Sequence, residues 1–361
     1  MINPPEYIRA IKPYQPGKPV EELERELGIE GAVKLASNEN PLGPSPKALD
    51  AIKRHLSGLN RYPDGSGYYL KNALAERLGV EPDELILGNG SNELLDIAVR
   101  TFMRQDDHAV MGAPSFVVYP LAVQSVGAEK TEVPLSQWRH DLEGMLSAVK
   151  ENTKILFIAN PNNPTGTINR AQEFKRLMER LPEDILLIVD EAYYEYVTDN
   201  DYPDSLSYFR EGRNILILRT FSKAYGLAGL RIGYGIGRKE VLVEMNKIRE
   251  PFNTNSLGQV AALAALEDED HIIRSIEVNN EGKEYLYREF ERLGIEYVPT
   301  EANFIFVPRL SISAGELYEK LLRRGVIIRP MGPEWVRITI GLMDENKRLI
   351  QALEAELGKG V

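Results

Sequence analysis

Short apolar runs recur through the middle of the chain, and helical spacing fills most of the intervals between them. The runs are Glu84–Gly88 (ELILG), His108–Gly112 (HAVMG), Thr153–Asn160 (TKILFIAN), Asp184–Asp190 (DILLIVD), Asn214–Arg219 (NILILR) and Leu230–Gly237 (LRIGYGIG). Stretches such as Asn92–Phe102 (NELLDIAVRTF) and Arg170–Leu181 (RAQEFKRLMERL) carry the helical pattern. Continuous apolar runs belong to strands buried on both faces, so their alternation with helices predicts a mostly parallel α/β sheet covered on both sides. Two further helices are predicted upstream, from Pro46 to about Leu56 and over Gly65–Gly79. The first thirty residues are rich in proline and charge, and Lys12–Pro19 (KPYQPGKP) resists both helix and sheet. After about Asn255 helices dominate, with strand-like runs at Phe304–Pro308 and Trp335–Gly341. The predicted organisation is an arm over 1–30, a large α/β domain over 31–255 and a smaller α+β domain over 256–361.

Length and composition narrow the function classes. A chain of 361 residues suits two domains, and 43% hydrophobic with 27% charged residues is the balance of a water-soluble globular protein. No window approaches a membrane span and the N-terminus lacks an apolar signal core, so the expected compartment is the cytoplasm. The net charge of −11 argues against a nucleic-acid partner. Zero cysteines exclude disulfides and thiolate metal sites, and His55, His108, His140 and His271 have no ligand spacing, so no metal is expected.

In parallel sheets the loops at the carboxyl ends of the strands build the ligand site. After Glu84–Gly88 comes NGSNE, whose Gly90 turn opens a helix and offers backbone N–H groups, with Ser91 and Asn92, to an anion. An ordinary helix cap is the structural alternative. The motif is not a dinucleotide fingerprint, because glutamate stands where the third glycine belongs. Thr153–Ala159 leads into Asn160–Gly166 (NPNNPTG), a rigid polar loop. Asp190 ends a strand too apolar to bury a carboxylate without a partner, unless it serves as a helix cap. Lys223 follows Asn214–Arg219 on a turn of small residues; it is either a desolvated amine nucleophile or a side chain that snorkels to the surface. One edge would thus gather an anion cradle, an asparagine loop, a carboxylate and an amine. That set suits a ligand with a phosphate, a protonated ring nitrogen and an aldehyde: pyridoxal 5'-phosphate.

The chain resembles the fold-type I pyridoxal-phosphate aminotransferases over essentially its whole length, and within them the histidinol-phosphate aminotransferase subgroup. Seven collinear motifs carry the resemblance: SNENPLGPSP from Ser37, NRYPDGSGYYLKNALAERLG from Asn60, APSFVVYP from Ala113, NPNNPTG from Asn160, DEAYYEY from Asp190, TFSKAYGLAGLRIGY from Thr220 and VRITIG from Val336. The resemblance implies a seven-stranded sheet. It implies that Lys223 links to the cofactor and then moves a proton, while Asp190 holds the pyridine nitrogen protonated. It places Tyr193 and Asn163 on the cofactor's phenolic oxygen and Phe116 on the ring face. Gly90, Ser91, Asn92, Thr220, Ser222 and Arg231 would hold the phosphate, with Tyr62 reaching it from the neighbouring subunit of a homodimer. Arg329 and Arg337 would grip the substrate's anionic end, and Tyr14 and Asn40 would close over it. Two arginines favour a dianionic phosphate over a carboxylate. The implied reaction runs between histidinol phosphate and 2-oxoglutarate, with glutamate as amino donor. Aromatic amino acid transamination and a lyase like threonine-phosphate decarboxylase are the alternatives; a non-catalytic binding protein or a nucleotide-dependent dehydrogenase fits these motifs less well.

Overall fold

A computed structural model describes residues 2–13 and 17–357. Every apolar run of the central chain becomes a strand, and one more joins them to make a seven-stranded sheet. The order across it is Leu85–Gly88, Gly233–Gly237, Ile215–Thr220, Leu186–Asp190, Thr153–Ala159, His108–Ala113 and Glu129–Pro134. Gly233–Gly237 is antiparallel to both neighbours, and the remaining pairs are parallel. Alternate side chains feed opposite faces, as the two-residue period of a strand requires. Leu156, Ile158, Leu187, Val189 and Ile217 pack with Phe174 and Leu177 of the helix Ala171–Arg180. Ile155, Phe157, Ile188, Leu216 and Leu218 pack on the other side with Leu94, Leu95 and Ala98 of the helix Ser91–Phe102.

The added strand, Glu129–Pro134, has no apolar run because it lies at the sheet's edge and buries only Val133. Edge strands with charges facing water resist further pairing.

The C-terminal region forms an antiparallel sheet of Arg329–Pro330, Val336–Thr339 and Phe304–Val307. Its core joins Ile305, Val307 and Ile338 to Phe290 of the helix Glu269–Leu293, Leu321 of Ala314–Arg323 and Leu349 of Met343–Leu357. Two features of the N-terminus differ from expectation. Val20–Leu27 is an amphipathic helix inside the predicted arm, and its Leu23 is buried with Leu322 and Ile327. Val33–Lys34, expected to open the large domain, pairs in parallel with Val326–Ile327, and Leu35 enters the C-terminal core.

The turn after Ile215–Thr220 is held by the Gly226 N–H donating to the Lys223 carbonyl at 2.9 Å and the Leu227 N–H donating to the Phe221 carbonyl at 3.0 Å. Gly226 sits at φ +69°, and a Cβ there would lie 2.1 Å from the Gly43 carbonyl oxygen. Gly229, close by, has ordinary φ and open space. Gly226→Ala is therefore expected to lower stability by at least about 1–2 kcal/mol, the cost of a left-handed L-residue before the clash is added. Gly229→Ala should leave the thermal unfolding midpoint nearly unchanged, and paired thermal melts check the contrast.

Candidate active site

Parallel register brings the ends of three strands together: Ala159 pairs with Asp190, and Asp190 with Leu218. Asp190 is 6% exposed. Its Oδ2 accepts from the Tyr119 hydroxyl at 2.8 Å and its Oδ1 from the Ala192 N–H at 3.1 Å. Burial pushes its carboxyl up to about 6, against the lowering effect of those two hydrogen bonds and the Lys223 charge. Lys223 Nζ donates to the Ser37 carbonyl at 3.2 Å. Desolvation, reinforced by the positive charge of Arg337 and Arg231, lowers its ammonium to about 8, with Glu39 and Asp190 opposing. The side chain is half-buried and reaches solvent through the cleft, so its desolvation is partial. Near neutrality a useful fraction of this amine is unprotonated and able to attack a carbonyl.

Beside them lies an anion cradle. The helix Ser91–Phe102 begins after Gly90 with no side-chain cap, so its first N–H groups point outward. The Arg231 guanidinium donates to Ser222 Oγ at 3.3 Å and to the Asn89 carbonyl at 3.4 Å. Gly90, at φ +74°, is where that guanidinium passes: a Cβ there would stand 2.5 Å from Arg231 Nη2. Thr220 and Ser222 complete the wall, the Ser222 N–H donating to Thr220 Oγ1 at 3.1 Å.

Asn163, Tyr193, Phe116, Arg329 and Arg337 line the same cleft as Lys223, Asp190 and the cradle. Arg337 donates through Nη1 to Asn163 Oδ1 and through Nη2 to the Ala36 carbonyl, each at 2.7 Å. Asn163 therefore presents its amide nitrogen as the donor end. The Tyr193 hydroxyl oxygen accepts from Asn38 Nδ2 at 2.9 Å.

One expected residue is turned to other partners. Asn40, expected over a substrate, does not line the cleft: Nδ2 donates to the Ala224 carbonyl (2.8 Å) and Ser275 Oγ (2.9 Å), and Oδ1 accepts from the Leu42 N–H (3.0 Å). It ties the lysine turn to the helix Glu269–Leu293. Tyr62 is 82% exposed and stacks on Phe252 with ring centroids 4.7 Å apart, outside this chain's own cleft. Tyr14 lies outside the described residues. Conversely, Tyr119 and Asn38 hold the Asp190 and Tyr193 side chains, and the sequence reading singled out neither. Tyr119 could have been found three residues after Phe116 in APSFVVYP, a spacing that brings the two rings to 5.7 Å. Asn38 stood in SNENPLGPSP without a local signal.

The family described as Aminotransferase class I and II matches residues 30–353. The chain belongs to that family. This aminotransferase is 50% identical over 353 residues to the histidinol-phosphate aminotransferase of Moorella thermoacetica, covering 96% of this chain and 91% of the relative. It is 49% identical to histidinol-phosphate aminotransferase 1 of Nitrosococcus oceani, covering 97% and 95%. Among solved structures, the histidinol-phosphate aminotransferase of Sinorhizobium meliloti in complex with pyridoxal-5'-phosphate superposes with a TM-score of 0.89 at 31% identity, over 98% of this chain and 96% of that one. The seven-stranded, mostly parallel sheet is the fold-type I arrangement that the motifs implied.

The Asp190 environment makes a stability prediction for the aminotransferase dialysed free of small molecules. A carboxyl raised from 3.8 to about 6 favours the fold when protonated. That contribution is full below about pH 4 and lost as pH rises through 6. Asp190→Asn stays neutral throughout, so it should gain stability on the wild type between pH 4 and 7, by no more than about 2–3 kcal/mol. Thermal melts across that range check it; a gain that does not change with pH would show that the charge is not the cause.

Proposed function

We propose that this aminotransferase uses pyridoxal 5'-phosphate to exchange amino and keto groups between L-histidinol phosphate and 2-oxoglutarate, giving imidazole acetol phosphate and glutamate in histidine biosynthesis. The observation that carries the reading is the convergence of Lys223, Asp190 and the Gly90–Arg231 cradle on one cleft, in a chain half identical to histidinol-phosphate aminotransferases.

The residues present fit the cofactor. The absence of a Cβ at Gly90 lets the Arg231 guanidinium lie against an open helix end, and that pairing of donors suits a phosphate. Asp190, buried and hydrogen-bonded, suits a cationic ring nitrogen, whose charge would draw its raised pKa back down. Asn163 and Tyr193 would hold the phenolic oxygen and Phe116 the ring face, while Ser91, Asn92, Thr220, Ser222 and Arg231 would hold the phosphate. When bound, pyridoxal phosphate supplies an aldehyde carbon for amine capture and a ring that withdraws electrons from the substrate's Cα.

The chain's own residues do the rest. Lys223, with its ammonium lowered to about 8, provides the amine and, once displaced by substrate, takes and returns the proton at Cα. Asp190 keeps the ring nitrogen protonated. Arg337, oriented by Asn163 and the Ala36 carbonyl, and Arg329 face the substrate's anionic end. Both arginines meet a phosphate in one half-reaction and a carboxylate in the other, so the site is dual by design. We further propose that the enzyme works in the cytoplasm as a homodimer in which Tyr62, turned away from its own cleft, completes the neighbouring one.

Borohydride reduction of the loaded enzyme followed by peptide mapping is expected to find the pyridoxyl adduct on Lys223, and an adduct on another lysine overturns the assignment. Initial rates with 2-oxoglutarate should be much higher for histidinol phosphate than for phenylalanine; the reverse order makes this an aromatic amino acid aminotransferase. For the dimer, mixing inactive Lys223→Ala with inactive Tyr62→Ala subunits should restore part of the activity, because one site of each mixed dimer is intact. No recovery after demonstrated subunit exchange would place Tyr62 outside the partner's site.

A further inference from the structure

Three consecutive residues, 36–38, each hold a different group of the cleft. The Ala36 carbonyl accepts from Arg337 Nη2, the Ser37 carbonyl accepts from Lys223 Nζ, and Asn38 Nδ2 donates to the Tyr193 hydroxyl oxygen. The C-terminal region pins this strap. The Asn38 N–H donates to Thr339 Oγ1 at 2.9 Å, Thr339 Oγ1 donates to Asn38 Oδ1 at 3.1 Å, and Asn303 Nδ2 donates to the Asn38 carbonyl at 3.0 Å.

Asn38 is 1% exposed and sits at φ +56°. A left-handed non-glycine residue persists where its surroundings over-determine it, and such residues gather at functional sites. Its amide orientation is set by the same contacts. The Thr339 hydroxyl receives the backbone N–H and has one proton, which goes to Oδ1, so the amide nitrogen is the end turned to Tyr193.

We propose that Asn38 is a positioning residue that aims the Tyr193 hydroxyl proton at the phenolic oxygen of the cofactor. The proposal rests on the cofactor reading above. An amide N–H can only donate, so it occupies a lone pair of the tyrosine oxygen and cannot take the tyrosine's proton. A hydroxyl that accepts one hydrogen bond also gives a stronger one. Asn38 thereby stabilises negative charge on the cofactor's phenolic oxygen through Tyr193, without touching the cofactor.

The test is the pH midpoint of the visible absorbance of the loaded enzyme. Among the described residues, Lys223, Asp190 and Tyr119 at the sheet edge, Arg231, Arg329 and Arg337 around the cleft, Tyr196 packed with Tyr193, and Glu39 next to Asn38 are the ionisable groups facing this corner, and every variant retains them. Losing the aimed proton disfavours the deprotonated chromophore, so the midpoint rises. Asn38→Gly, which keeps the left-handed backbone without strain, should raise it by about 0.5–1 pH unit. Thr339→Val, which unpins the amide, should move it the same way. Tyr193→Phe should raise it at least as far, and adding Asn38→Gly to Tyr193→Phe should move it no further. An unmoved midpoint in folded, loaded Asn38→Gly and Thr339→Val overturns the proposal, and so does a double variant whose shift is the sum of the two singles. Wild-type protein that acquires no visible band with pyridoxal phosphate strikes the cofactor reading instead, which keeps the two failures distinct.

Discussion

A carboxylate and an amine, Asp190 and Lys223, are carried into a desolvated edge by strands whose interiors are almost wholly apolar, and the remainder of the structure is arranged around that imposition. Burial drives each toward its neutral form, the carboxyl up to about 6 and the ammonium down to about 8. Their mutual attraction offsets only part of this, because it is a smaller influence than desolvation on both. Such groups stay in place only when the surrounding polar contacts are complete. Tyr119 and the Ala192 N–H supply them for Asp190, and the Ser37 carbonyl supplies one for Lys223.

A second buried pair braces the same two strand ends. Glu191, directly after Asp190, accepts from Arg219, directly before Thr220, at 2.8 Å, and the Tyr194 ring covers the guanidinium at 3.6 Å. A pair this deep contributes little net stability against well-packed apolar residues, but breaking it leaves a buried charge unpaired. Its consequence is geometric: the carboxylate's strand and the lysine's strand are held in one register up to their last residues.

Closure from the other side comes from the C-terminal region. Arg337 reaches across to Asn163, Thr339 anchors the 36–38 strap, and Trp138 meets Phe306 and Trp335 at 5.0 and 5.7 Å between ring centroids. The cleft is therefore lined from both the seven-stranded sheet and the C-terminal region, and its Arg329 and Arg337 come from the part that does not carry the lysine.

Whatever depends on local pattern could be read from the amino-acid sequence. The six apolar runs, the glycine turn before Ser91, Asp190 at a strand's end and Lys223 among small residues all carry their signal within a few positions. The parallel order then sends those ends to one edge. Glu129–Pro134 escaped because a solvated edge strand needs no apolar run, and Val20–Leu27 because a proline-rich flank masked its amphipathic spacing. Tyr119 and Asn38 reach partners 71 and 155 residues away. No window of sequence contains both ends of either hydrogen bond, so only the packed structure could assign them. The same holds for Asn40: its motif placed it near the cleft, but the amide's engagement with Ala224 and Ser275, 184 and 235 residues distant, made it a tie between elements. Side-chain chemistry and spacing determined which groups this protein could bring to a site; long-range packing decided which way each of them faces.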